Sequence, residues 1–159
     1  MFVFWKETFD TNIRIYGAAT RPVEEGTSII NGYIANLHCK DSWSSSQCSE
    51  GMSNFRRVIE YVQLKTEDHF RALQETLSNH SEDVHEVLRV FYLSVSPSLY
   101  DGLASSINQF VRPSSSSTEL RVVFEKPFGR DLQSARELSH RLGRHLQEEE
   151  IFRVWRYGL

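Results

Sequence analysis

A lysine stands where an apolar run ends. Residues 120–129 read Leu-Arg-Val-Val-Phe-Glu-Lys-Pro-Phe-Gly. Apart from Arg121, residues 120–124 are apolar and rich in β-branched and aromatic side chains, as in a buried parallel strand. Polarity then flips at Glu125 and Lys126, and Pro127 ends any ladder because it has no N–H to donate. Pro127 also holds Lys126 to extended geometry. Phe128 and Gly129 make a turn, and Asp131 is placed to cap a following helix. In open α/β sheets ligands bind outside the carboxyl ends of the strands. Lys126 would stand at that edge. The competing reading is a solvated charge at a strand end, and strand-end placement alone does not separate the two.

Other residues capable of chemistry are sparse. Cys39 and Cys48 lie nine apart in a Ser-rich stretch. They form a disulfide only in an oxidising compartment and are otherwise two free thiols. No third or fourth ligand accompanies them, so no metal site is expected. The six histidines, His38, His69, His80, His85, His140 and His145, fall on expected helices or loops away from Lys126 and read as solvated. No Gly-x-Gly-x-x-Gly or Walker-type loop occurs in the chain.

The elements that must position these residues follow from periodicity. Residues 13–19 alternate like a short strand. A helix starts over residues 22–26 and carries Ile29, Ile30, Tyr33, Ile34 and Leu37 on its apolar face. Residues 37–51 read as a polar, mobile loop. Residues 52–60 read as a helix and 61–64 as a short strand. Thr66 can cap a helix over 67–80, whose stripe is Phe70, Leu73 and Leu77, with Glu67 and Asp68 in the first turn. Residues 87–95 form a second strong strand ending at Ser96-Pro97. A helix over 98–110 turns Leu99, Leu103, Ile107 and Phe110 inward, and residues 112–118 are a Pro/Ser linker. After the strand at 120–124, residues 131–149 make the longest helix, facing in through Leu132, Ala135, Leu138, Leu142 and Leu146. Residues 150–155 begin one more strand. Strands alternating with helices predict an α/β fold, a partial Rossmann-type parallel sheet with flanking helices.

Composition agrees with one globular domain of 159 residues, 40% apolar and 25% charged. A net charge of −3, with no basic stripe interleaved with aromatics, argues against nucleic acid as a partner. No stretch approaches the roughly 20 apolar residues of a membrane span, and residues 1–5 are too short for a signal-peptide core.

Three segments, taken in order, resemble the glucose-6-phosphate dehydrogenase family. They are residues 91–100 (Phe-Tyr-Leu-Ser-Val-Ser-Pro-Ser-Leu-Tyr), residues 125–132 (Glu-Lys-Pro-Phe-Gly-Arg-Asp-Leu) and residues 148–154 (Glu-Glu-Glu-Ile-Phe-Arg-Val). Tyr16-Gly17-Ala18-Ala19, the Cys39 and Cys48 pair, residues 61–66, Ile107-Asn108 and Arg112-Pro113 look like its hexose-6-phosphate dehydrogenase branch. The resemblance implies a partial NAD(P)-binding domain over residues 1–159, with the family's substrate domain absent. It implies NADP, or NAD, as cofactor, and glucose 6-phosphate or a related hexose 6-phosphate as substrate. A homo-oligomeric parent is implied as well. By the same resemblance Lys126 binds the sugar and lies beside the nicotinamide, and Tyr92 lines the cofactor groove, with plain core packing as the competing reading for Tyr92. Ala19 takes the place of an arginine for the 2′-phosphate, with Arg21 two residues on. The branch implies the endoplasmic reticulum lumen, and the lack of a signal leaves the cytosol open.

Two departures shape the expected activity. Residues 1–12, where the family has its Gly-rich loop, hold no glycine. After Arg153-Val154, where the family has Asp-His-Tyr-Leu-Gly-Lys, this chain has Trp155-Arg156-Tyr157-Gly158-Leu159. No residue here matches the family's histidine base, so no catalytic residue is assigned and the chain alone is expected to be an inactive fragment. A non-catalytic interaction module is the alternative.

Overall fold

The computed structural model describes residues 13–81, 87–113 and 118–154. The expectations for residues 1–12, for the middle of the Pro/Ser linker, for His85 and for residues 155–159 lie outside the described residues. The chain divides into two units, Met1–Thr66 and Glu67–Leu159. The fold class is the expected one: parallel strands connected through helices.

In the first unit β1 (Ile15–Ala19) pairs in parallel with β2 (Ile59–Gln63), with Ile15 opposite Ile59 and Ala19 opposite Gln63. Helices α1 (Val23–Ala35) and α2 (Ser45–Val58) connect them. Helix α1 approaches β2 closely because Gly26 has no side chain. A Cβ there would lie 2.1 Å from the Tyr61 ring. The buried stripe is therefore Gly26 and Ile34, with Ile30 half-buried between them. Ile29 and Tyr33, expected on the apolar face, are exposed, because the glycine rather than the bulkiest side chains sets which face can dock.

The loop expected over residues 37–51 is shorter. Helix α2 begins at Ser45, because Ser44 caps it: its Oγ accepts from the Gln47 N–H, and the Gln47 side chain accepts from the Ser44 N–H. The serines that read as loop are thus a cap and a first turn. The helix then runs straight into β2, so Ile59 and Glu60 are strand rather than helix. Cys39 and Cys48 are joined by a disulfide with a Cα–Cα distance of 5.8 Å, which ties the α1–α2 connection to the first turn of α2.

The second unit starts with α3 (Glu67–Ser81), whose Phe70 and Leu73 are buried. Then β3 (Val87–Leu93), α4 (Tyr100–Phe110), β4 (Thr118–Glu125), α5 (Leu132–Leu142) and β5 (Ile151–Val154) form a parallel sheet of order β3–β4–β5. Register places Leu93 opposite Phe124, and Phe124 opposite Arg153. Strand β4 is central and alternates: Leu120, Val122 and Phe124 are buried, while Arg121, Val123 and Glu125 are half-buried. Each buried side chain contributes about 1.5–3 kcal/mol of transfer free energy.

Three expectations need correcting here. Residues 97–99 form a 3₁₀ turn, not the first turn of a helix, and Leu99 is 54% exposed. The inward face of α4 is Tyr100, Ala104 and Ile107, continued by Val111. The turn at Pro97 rotates the start of the helix so that the tyrosine points in. Helix α5 ends at Leu142, not at residue 149: Gly143 caps it, and the Arg144 N–H bonds back three residues to Arg141. Leu146 is still buried, but from the turn that follows, and Leu132 at the other end is exposed. Asp131 does cap α5, its carboxylate accepting from the Ser134 N–H at 2.8 Å, which pulls its pKa down.

Candidate functional site

Lys126 emerges at the carboxyl end of β4, in the turn where the ladder stops. Its backbone N–H makes one more bond towards β5, to the carbonyl of Val154 at 2.9 Å. Pro127 follows through a cis peptide. On the other side of the same peptide, the carbonyl of Glu125 accepts the phenol of Tyr100 at 2.9 Å. That tyrosine is 1% exposed and stands edge-on to Phe124 with centroids 5.0 Å apart. Burial raises its phenol pKa, so it donates across the whole neutral range.

The carboxylate of Glu125 is held as well. Tyr92 donates to one oxygen at 3.0 Å and Ser94 to the other at 3.3 Å. Tyr92 lies on β3 opposite Val123, and Ser94 is the first residue beyond β3, so both stand beside the end of β4. The Tyr92 side chain is nevertheless 57% exposed, so plain core packing is excluded. The structure thus brings Lys126 and Tyr92 to one sheet edge, with Glu125 between them. Sequence reading missed Glu125, Ser94 and Tyr100 as part of this constellation. Alternation could pair Tyr92 with Ser94, but only the register brings Glu125 to them.

Beyond this edge, the turn at Phe128 and helix α5 flank a cleft of about 220 Å³, lined by Phe128, Ala135, Arg136, Ser139, Leu142 and Arg153. Arg153 lies 6.0 Å over the Phe128 ring and pairs with Glu148 at 2.6 Å. The other side of the unit is braced by Arg112, whose guanidinium meets both oxygens of Glu150, at 2.5 and 2.9 Å, and the carbonyl of His145. Burial pushes the Glu150 carboxyl up, but the hydrogen bonds from Arg112 and from the Gln147 N–H outweigh it and the pKa is lowered. Arg89 is buried and donates to Gln74 and to the carbonyl of Val111, and burial lowers its pKa.

Ala19 and Arg21 lie in the first unit, at and just after the end of β1, and both are exposed. The backbone there is fixed from β2 and the residue that follows it. Leu64 N–H donates to the Ala19 carbonyl, Gln63 to the Thr20 carbonyl and the Tyr61 phenol to the Arg21 carbonyl. The Arg21 guanidinium pairs with Glu25 one turn along α1. Glu24 and Glu25 both sit in the first turn of α1, so this helix end does not favour an anion. Among the histidines, His38 and His140 are exposed as expected. His145 is not simply solvated: its Nε2 lies 3.3 Å from Asp101.

Comparison with known proteins gives a consistent result. Residues 2–158 match the family model "Glucose-6-phosphate dehydrogenase, NAD binding domain". The chain is 36% identical over 144 residues to the GDH/6PGL endoplasmic bifunctional protein of Homo sapiens, covering 89% of this chain and 18% of that one. It is 32% identical over 154 residues to the cytoplasmic glucose-6-phosphate 1-dehydrogenase 5 of Arabidopsis thaliana, covering 91% of this chain and 29% of the relative. A solved glucose-6-phosphate dehydrogenase in complex with its substrate glucose 6-phosphate superposes with a TM-score of 0.76 at 25% identity, over 89% of this chain and 29% of that one. The chain therefore spans less than a third of the length of these relatives.

Proposed function

The chain belongs to the glucose-6-phosphate dehydrogenase family as its NAD-binding domain, and from that premise we infer that it forms the nucleotide-binding part of a hexose-phosphate dehydrogenase. The substrate is glucose 6-phosphate or a related hexose 6-phosphate, and the cofactor is NADP, with NAD as an alternative. When bound, the cofactor would supply a nicotinamide as hydride acceptor for C1 of the sugar.

Lys126 binds the substrate. Its ammonium donates to a sugar hydroxyl from the carboxyl edge of β4 and so orients C1. Tyr92 presents an exposed phenol ring, suited to flank the nicotinamide. Ala19 and Arg21 meet the adenosine ribose. Because Ala19 offers no charge and Arg21 is paired with Glu25, a 2′-phosphate gains little there, which favours tolerance of both cofactors. Residues 1–159 hold no assigned general base, and by themselves they would not turn over.

The observation that carries this reading is the placement of Lys126 at that edge, its peptide bonded on one side by Tyr100 and on the other by Val154. Replacing Lys126 with Met in the full-length protein should weaken glucose 6-phosphate binding about thirty-fold by calorimetry, the worth of a hydrogen bond from a charged donor. Unchanged binding would sink the substrate role.

The Cys39–Cys48 disulfide supports an oxidising compartment such as the endoplasmic reticulum lumen over the cytosol. Alkylation of protein taken directly from its source, followed by mass measurement, decides this: two alkylated thiols point to the cytosol. We also infer a homo-oligomeric parent, which sedimentation of the full-length protein tests.

A further inference from the structure

The geometry points to Tyr100 as a positioning residue for Lys126, acting through the backbone of Glu125. The inference rests on the reading of Lys126 as the substrate lysine and adds what aims it.

The peptide joining Glu125 to Lys126 is the last one before the turn, at the end of the ladder between β4 and β5. Its carbonyl and its N–H are each held by a different element. Tyr100, from the first turn of α4, donates to the carbonyl at 2.9 Å. The Val154 carbonyl of β5 accepts the N–H at 2.9 Å. Two bonds on opposite edges fix the rotation of a peptide plane, and that plane sets the direction in which the next side chain leaves the backbone. A central strand residue would get both bonds from neighbouring strands. Here Tyr92 of β3 and Ser94 just beyond it supply hydroxyls to the carboxylate of Glu125, and a helix residue binds the carbonyl.

Tyr100 is built for that task rather than for packing alone. The Phe124 contact and near-complete burial would be met equally by phenylalanine. Only the hydroxyl needs the Glu125 carbonyl, and that part-buried carbonyl would lose this bond without it. A small rotation at a binding lysine is costly because hydrogen bonds to a sugar hydroxyl weaken steeply with angle.

The test is Tyr100→Phe in the full-length protein, read beside Lys126→Met. Glucose 6-phosphate and NADP binding are measured by calorimetry, and amide exchange of the segment 125–128 by mass spectrometry. The inference expects faster exchange confined to that segment and sugar-phosphate binding weakened about five-fold, the worth of one neutral hydrogen bond. NADP affinity should change less than two-fold. Unchanged exchange at 125–128 overturns it. So does faster exchange with unaltered sugar-phosphate binding, if Lys126→Met weakens that binding, since Tyr100 would then be structural only. If Lys126→Met leaves sugar-phosphate binding intact, the substrate role of the lysine fails, and this inference with it.

Discussion

In the first unit the phenol of Tyr61 donates to the carbonyl of Arg21, and in the second the phenol of Tyr100 donates to that of Glu125. Each is a buried tyrosine reaching the backbone at or just beyond the carboxyl end of a parallel strand. The side chains at these places are held in opposite ways. Arg21 pairs with Glu25, four residues on and exposed. Glu125 is held by Tyr92 and Ser94, 33 and 31 residues away in the chain. A local pair of exposed charges is weak and easily exchanged for a ligand. A constellation assembled through strand register is kept for as long as the sheet is. The first arrangement suits a flexible contact and the second a fixed one.

The comparison is most strongly broken at Gly26. Alanine there must displace the Tyr61 ring, which lies 2.1 Å from the new Cβ, and with it the hold on Arg21. We expect a loss of about 3 kcal/mol in denaturant unfolding followed by tryptophan fluorescence. A shift below 1 kcal/mol would mean that α1 docks without the close approach.

The second unit should resist less at acid pH than its non-local bonds suggest. Glu150 has a lowered pKa through Arg112, so its contribution is present above the unfolded carboxylate pKa and is lost as pH falls through the lower folded value. Arg112→Met should cost about 2 kcal/mol at neutral pH, less than for a fully buried pair because the arginine is partly exposed. The difference from wild type should shrink in thermal melts taken below pH 4. A constant difference down to pH 3 would show that Arg112 acts through the His145 and Asn108 bonds instead.

The smallest expected effect sharpens the local side. Glu25→Gln should change stability by only about 0.3 kcal/mol, the worth of an exposed pair one turn apart. It releases Arg21, however, and the ratio of NADP to NAD affinity should rise about three-fold in competition binding. An unchanged ratio would remove Arg21 from the cofactor site.

Much of this was legible because it is local. The apolar run before Glu125-Lys126-Pro127 marks a strand and its end, since proline cannot extend a ladder. Asp131 announces α5 through cap chemistry that needs only three residues. The alternation of strands and helices fixes a parallel α/β fold. The failures were local signals of equal strength pulling apart. The serines near Ser44 suit both a loop and a helix cap, and the capping box with Gln47 decided for the helix. The stripe from Leu132 to Leu146 is consistent with one long helix, but Gly143 ends it, and Leu146 reaches the core from the turn beyond.

The sequence by itself determined the strand that carries Lys126, the turn that ends it and the cap that starts the next helix. Each depends on residues within a turn of one another, so its energetics are written in neighbours. Only the tertiary structure decided that Tyr92, Ser94 and Tyr100 converge on Glu125, and that Tyr33 faces outward while Gly26 faces in. Those outcomes rest on register and on how closely a helix can approach a strand. Both are set by the packing of whole elements, which no single stretch of the chain contains.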